Sequence, residues 1–276
     1  MSTAQTILLG AIAGFTIFLG LPVARMRTGA ARIRTLLNGL SAGILVFLLV
    51  EILAESTHVV EEAMEELADG GGSVSRFVGL ATVLVAGLGV GLMGLLYAML
   101  AWRRRDARSR TSVGPGAMAL AETAPARGEA LRLALSIAVG IGLHNFSEGL
   151  AIGQAANAGD VSLALLLIIG FALHNATEGF GIAGPLAASG VRPSWGWLLL
   201  AGVIGGGPTF LGTVVGSAAS SPYIYVGFLA LAGGAILYVV GELFAAGRRL
   251  SWEWTMWGVL LGFLAGFGTE LILELA

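Results

Sequence analysis

The sequence predicts an all-α polytopic membrane protein, a bundle of eight transmembrane helices with both termini outside. Three observations predict it. The 276 residues are 56% hydrophobic and only 12% charged, with a mean hydropathy of +0.87, which lies outside the range of soluble domains. Apolar runs of about 20 residues, the length that crosses the hydrocarbon core as a helix, recur at about 5–24, 35–56, 75–101, 131–156, 160–188, 195–217, 222–246 and 252–275. All fifteen basic residues are arginines, and fourteen of them fall in alternate, odd-numbered connections, which the positive-inside rule puts in the cytoplasm.

The elements follow in order. The first apolar run follows Met1-Ser2-Thr3-Ala4-Gln5, which has no positive charge, and it reaches Arg25 only after about twenty residues, so it reads as a retained transmembrane helix. Arg25, Arg27, Arg32 and Arg34 fill the first connection. The second helix carries Glu51, Glu55 and His58 at i, i+4 and i+7 on one stripe, leading to Glu61, Glu62, Glu65, Glu66 and Asp69, an acidic stretch read as a solvated helix end. Arg76 alone lies on that side.

Small residues in the third helix, Gly87-Leu88-Gly89-Val90-Gly91, suit close helix packing. The third connection, about 103–130, has an arginine cluster (Arg103, Arg104, Arg105, Arg108, Arg110) followed by Gly114-Pro115-Gly116 and Pro125, and Arg127 and Arg132 lie beside it. It reads as a flexible cytoplasmic loop touching lipid headgroups. Arg192 marks the fifth connection, and Arg248 and Arg249 mark the seventh. The tryptophans Trp102, Trp195, Trp197, Trp252, Trp254 and Trp257 cluster at the same helix ends and read as interfacial anchors. Glu270 and Glu274, near the outer end of the last helix, read as headgroup-exposed. The whole chain, 1–276, is one transmembrane domain.

The chemistry lies in the fourth and fifth helices. His144-Asn145-Phe146-Ser147-Glu148-Gly149 and His174-Asn175-Ala176-Thr177-Glu178-Gly179 repeat one pattern thirty residues apart, and they hold two of the three histidines. Ionisable side chains at membrane depth are costly and mark function. In each helix His, Asn and Glu share one face. Each motif lies about 20 Å from its helix start at 1.5 Å per residue, so two antiparallel helices present their motifs at one depth near the midplane. Imidazole nitrogen with carboxylate and carboxamide oxygen suits Zn²⁺, Fe²⁺, Mn²⁺, Co²⁺ or Cd²⁺. The two glutamates are like charges close together, so metal binding should displace protons. No cysteine is present, which excludes thiolate ligation, a thiol nucleophile and disulfides.

The paired motifs resemble the fourth and fifth helices of the ZIP (Zrt/Irt-like) divalent-metal transporters, prokaryotic branch, in which His-Asn-x-Pro-Glu-Gly recurs in both. Gly184-Pro185 resembles that family's continuation. The resemblance implies a central site with His144, Asn145, Glu148, His174, Asn175 and Glu178 as metal ligands. It also implies uptake into the cytoplasm and an elevator-type motion of the first, fourth, fifth and sixth helices past a scaffold that dimerises, hence a homodimer. Glu51 resembles a glutamate of bacterial relatives, and Glu242 resembles the family's exit-side acid; with Glu55 and His58 they are pathway candidates.

The chain departs from the pattern in two places. Ser147 and Thr177 stand where the family has proline, and a hydroxyl can bond back to a carbonyl one turn earlier. The sixth helix reads Gly205-Gly206-Gly207-Pro208-Thr209 without a carboxylate, so one well-formed metal site is expected and a second one weak or absent. The expected function is therefore transport of a divalent metal ion, Zn²⁺ first, with no resident cofactor, no nucleic acid and no enzyme activity. An intramembrane zinc-dependent hydrolase or a metal-selective channel are the alternatives, although His-Glu-x-x-His is missing and no lysine completes a phosphate-binding loop. Short termini and the lack of a targeting segment point to a bacterial or archaeal inner (plasma) membrane, with the lipid bilayer as the other partner.

Overall fold

In a bilayer each backbone N–H and C=O must find its partner inside the segment, so apolar runs of this length become helices. The computed structural model describes residues 2–26, 31–110, 124–218 and 221–275, without the side chains at 106–110, 124–126 and 272–275. Among the described residues there are eight α-helices: α1 (Thr3–Phe15), α2 (Ala31–Ala68), α3 (Val74–Arg110), α4 (Ala124–Asn157), α5 (Val161–Ala188), α6 (Trp195–Ala218), α7 (Pro222–Leu250) and α8 (Trp252–Leu275). Two 3₁₀ turns, Thr16–Leu19 and Leu21–Arg25, carry α1 onward. Seven segments, from Thr3–Arg25 to Pro222–Leu250, are long and apolar enough to cross a membrane, and α8 completes the bundle.

Two boundaries differ from the sequence reading. Helix α2 runs twelve residues beyond the apolar run and carries Glu61, Glu62, Glu65 and Glu66 on a helical extension, which closes on Gly70 at φ 78°. Helix also occupies both ends of the stretch that composition marked as a loop: α3 reaches Arg110 and α4 begins at Ala124. Hydropathy locates where a helix enters water, whereas hydrogen bonding continues until a cap or breaker stops it. Gly114-Pro115-Gly116 lies outside the described residues, as do Arg27 and the side chains of Arg108, Arg110 and Glu274.

The turns around α5 fix its position closely. Helix α4 ends at Gly159, φ 83°, with Asp160 N–H donating to Ala155 O at 3.0 Å. Asp160 then caps α5 by accepting from Leu163 N–H at 2.9 Å. At the far end Gly190, φ 67°, lets Val191 N–H close on Leu186 O at 3.0 Å. Both are Schellman-type ends, in which glycine takes the left-handed conformation without a Cβ penalty.

The helices pack in two groups. One holds α1, α4, α5 and α6, with α4 against α6 the most extensive pairing; the other holds α2, α3, α7 and α8, dominated by α2 against α8 and α3 against α7. Each pairing is made close by glycine. A Cβ on Gly212 or Gly216 of α6 would strike the α4 backbone at Phe146 or Leu150, and one on Gly43 or Gly262 would strike Val259 O or Leu40 O between α2 and α8. In the expected α3 stripe, Gly87 and Gly91 meet α7, whereas Gly89 faces open space. Across the seam α4 packs on α7 and α5 on α2, the latter where Gly184 leaves room for Ser41.

Arginine and tryptophan meet at one end of the bundle. Arg25 lies over Trp195 at 4.8 Å, Arg32 over Trp254 and Arg248 over Trp252 at 5.7 Å, and Arg132 over Trp102 at 6.0 Å. Such contacts are the expected form of interfacial anchoring. They define an arginine-rich face; Arg76, paired with Glu66, lies at the opposite, arginine-poor face.

Candidate metal centre

Alternation of helix direction brings α4 and α5 side by side with their motifs level. The His144 and His174 rings are 6.0 Å apart, and Asn145, Glu148, Asn175 and Glu178 are buried with them, none more than 5% exposed. The carboxamides bind crosswise. Asn145 Nδ2 donates to Asn175 Oδ1, to Glu178 Oε2 at 3.0 Å and to Gly205 O at 3.0 Å. Asn175 Nδ2 donates to Glu148 Oε2 at 3.2 Å and to Phe171 O at 2.8 Å. Each asparagine therefore orients the glutamate of the other helix. His144 Nε2 lies 3.4 Å from Glu148 Oε1, and His174 Nε2 lies 3.8 Å from Glu178 Oε1.

Several buried atoms here have no hydrogen-bond partner among the described residues: His144 Nδ1 and Nε2, Glu148 Oε1, Glu178 Oε1 and Asn145 Oδ1. Buried polar atoms are normally paired, so a cluster of lone-pair donors facing one another is a site for a cation. His144, Glu148 and His174 each place one donor atom within 4.8 Å of the others.

A cavity of about 770 Å³ runs from this cluster to the arginine-poor face. Its wall includes Glu51, Glu55, His58, His144, Ser147 and Glu148, so the second-helix stripe and the first motif share one space. Towards the arginine-rich face the path is closed by Leu45, Ile137, Ile141 and Ile182, all fully buried. Glu55 accepts from Tyr225 Oη at 3.1 Å, and His58 is exposed with Nδ1 3.6 Å from Glu62. Glu242 stands apart, in a second cavity of about 360 Å³ at the arginine-rich face. Its partners are Arg103 of α3, at 2.9 Å, and Tyr238, at 3.3 Å.

Some details depart from the sequence reading. Thr177 does bond back, donating to His174 O at 2.7 Å, but Ser147 Oγ is buried without a hydrogen-bond partner among the described residues. The sixth helix brings no carboxylate to the cluster; its backbone carbonyl Gly205 O accepts from Asn145 Nδ2. Glu270, read as headgroup-exposed, instead lines the cavity beside Glu51 and His174. The one signal for it in the sequence was an acid set inside the end of an apolar helix. Tyr225 and Gly205 carried no signal at all.

A helical bundle with seven membrane-length segments among the described residues defines a polytopic membrane protein, and its buried histidine–glutamate cluster has the donor set of a metal site. The family model for ZIP Zinc transporter matches residues 110–274, more than half of the chain and both motifs, and the chain belongs to that family. No curated protein matches it. Membership implies divalent metal transport across a membrane and points to a transporter in preference to an enzyme.

Proposed function

We propose that the protein carries a divalent transition-metal ion, Zn²⁺ first and Fe²⁺, Mn²⁺, Co²⁺ or Cd²⁺ behind it, into the cytoplasm through His144, Asn145, Glu148, His174, Asn175 and Glu178. The observation that carries this reading is the set of buried atoms in the His–Asn–Glu cluster that have no hydrogen-bond partner among the described residues. A cation takes the free carboxylate oxygens and one nitrogen of each imidazole, and nitrogen with carboxylate oxygen favours a borderline divalent ion. Fourteen of fifteen arginines in alternate connections support a cytoplasmic arginine-rich face, with the cavity then open to the outside and both termini there.

The packing supports an elevator-type motion. The ligands all belong to α4 and α5, which pack with α1 and α6, while α2, α3, α7 and α8 form the other group. Sliding of the first group carries the whole ligand set past the apolar closure. Uptake of Zn²⁺ into proteoliposomes tests the reading: saturable flux, abolished in Glu148→Ala and Glu178→Ala, is expected. Flux that persists in both variants, or intact metal binding with no flux in the native chain, refutes it.

A further inference from the structure

Glu51 comes from α2, His174 from α5 and Glu270 from α8, yet each presents one donor atom within 4.8 Å of the other two. Glu51 Oε2 lies 3.7 Å from His174 Nε2. That oxygen is buried and has no hydrogen-bond partner among the described residues, while the rest of the side chain lines the cavity and is 26% exposed. We infer that Glu51, His174 and Glu270 form an outer cation site that takes the divalent ion from the cavity and passes it to the central cluster. This inference rests on the central cluster being the transport site.

The donor set fits the role. Two carboxylates and one imidazole suit the same divalent ions as the central ligands. Three protein ligands leave a position for water, as expected of a place where an ion is only partly dehydrated. Glu55 and His58 lie further along the same wall, towards the open face. In a chain whose sixth helix has no carboxylate, α2 and α8 supply the additional acids.

Two consequences follow from the geometry. His174 belongs to both donor sets, its Nε2 lies 3.7 Å from Glu51 on one side and 3.8 Å from Glu178 on the other, and one nitrogen holds one metal at a time. The two sites are therefore alternatives, and the ion exchanges Glu51 and Glu270 for His144 and Glu148 while His174 keeps hold of it. The outer site also spans the seam. Glu51 and Glu270 stand on helices locked together through Gly43 and Gly262, whereas His174 stands in the other group. An ion in the outer site ties the groups together, and one in the central cluster is bound by α4 and α5 alone. Relative movement of the groups is disfavoured until the transfer is made.

The test uses Cd²⁺ and the full chain in lipid nanodiscs and proteoliposomes. Glu270→Gln keeps the side-chain shape and removes the charge. It is expected to raise the half-saturating Cd²⁺ concentration for uptake about tenfold, the scale on which metal-site partners act, and Glu270→Asp should recover part of the loss. In a Glu148→Gln/Glu178→Gln background, flux should vanish while equilibrium dialysis still finds Cd²⁺ bound, and adding Glu270→Gln should remove that binding. An unchanged half-saturation in Glu270→Gln overturns the inference, and so does residual binding that is absent or indifferent to Glu270→Gln. Flux surviving in the double variant instead refutes the central reading, so the two failures are distinguishable. Should Glu270→Gln not elute as a single species, Glu51→Gln replaces it with the same expectations.

Discussion

Replacing Gly212 with alanine tests whether the α4–α6 contact holds the motif in place. The added Cβ would fall on Phe146 O and lie 2.9 Å from Leu150 N and 3.0 Å from Phe146 C, all of them backbone atoms of α4. A helix backbone cannot rotate out of the way, so α4 and α6 must separate. Overpacking of this kind costs about 1–3 kcal/mol; at roughly 2–4 °C per kcal/mol for a chain of this size, Tm should fall by about 2–12 °C. Phe146 follows Asn145, so the separation also stretches the 3.0 Å bond from Asn145 to Gly205 O, and Zn²⁺ uptake should fall with Tm. Gly89→Ala is the control, because its Cβ meets nothing within 4 Å and alanine is the better helix former by about 1 kcal/mol. Thermal unfolding in one detergent, followed by the fluorescence of the six tryptophans, gives both values. Equal shifts for the two variants would refute the packing argument.

Asn145→Ala removes an NH₂ whose two N–H groups are shared among three acceptors, Asn175, Glu178 and Gly205; at about 0.6–1.7 kcal/mol for a hydrogen bond within a membrane, loss of the two donors should lower stability by about 1–3 kcal/mol, read as Tm, and weaken Cd²⁺ binding. Histidine and glutamate bind metal only when deprotonated, so affinity should rise with pH and binding should release protons; calorimetry in two buffers of different ionisation enthalpy should give different heats, and equal heats would contradict this. Arg103→Ala breaks a pair whose side chains are 49% and 34% exposed, so after solvent screening the cost is about 0–1 kcal/mol. Its Tm should move by less than about 4 °C, and raising the salt concentration should shrink the difference.

The fold was legible wherever hydropathy and charge act locally. Eight apolar runs became eight helices, and the arginine and tryptophan positions foretold one anchored face, because both respond directly to the water–lipid boundary. The convergence of the six motif side chains was legible because i, i+1 and i+4 share a helix face whatever surrounds it. Legibility ended where a result depended on a partner from another helix. Ser147 and Thr177 occupy equivalent motif positions, yet one hydroxyl bonds its own helix and the other does not. Glu270 looked like a helix-end acid because nothing in α8 reveals that Glu51 and His174 face it. The ends of α2, α3 and α4 outran the apolar runs because a helix stops at a cap or breaker, not at the membrane surface.

The sequence by itself determined a helical membrane bundle, the sidedness of its arginines and a duplicated donor motif at one depth. Each follows from periodicity, composition or spacing along a single chain segment. Only the tertiary structure decided that each asparagine orients the opposite glutamate, that Gly205 O of the sixth helix accepts from Asn145, and that α2 and α8 bring carboxylates to His174. Those relations depend on which helices touch and at what rotation, and that is set by glycine stripes whose meaning appears only when the facing backbone is known.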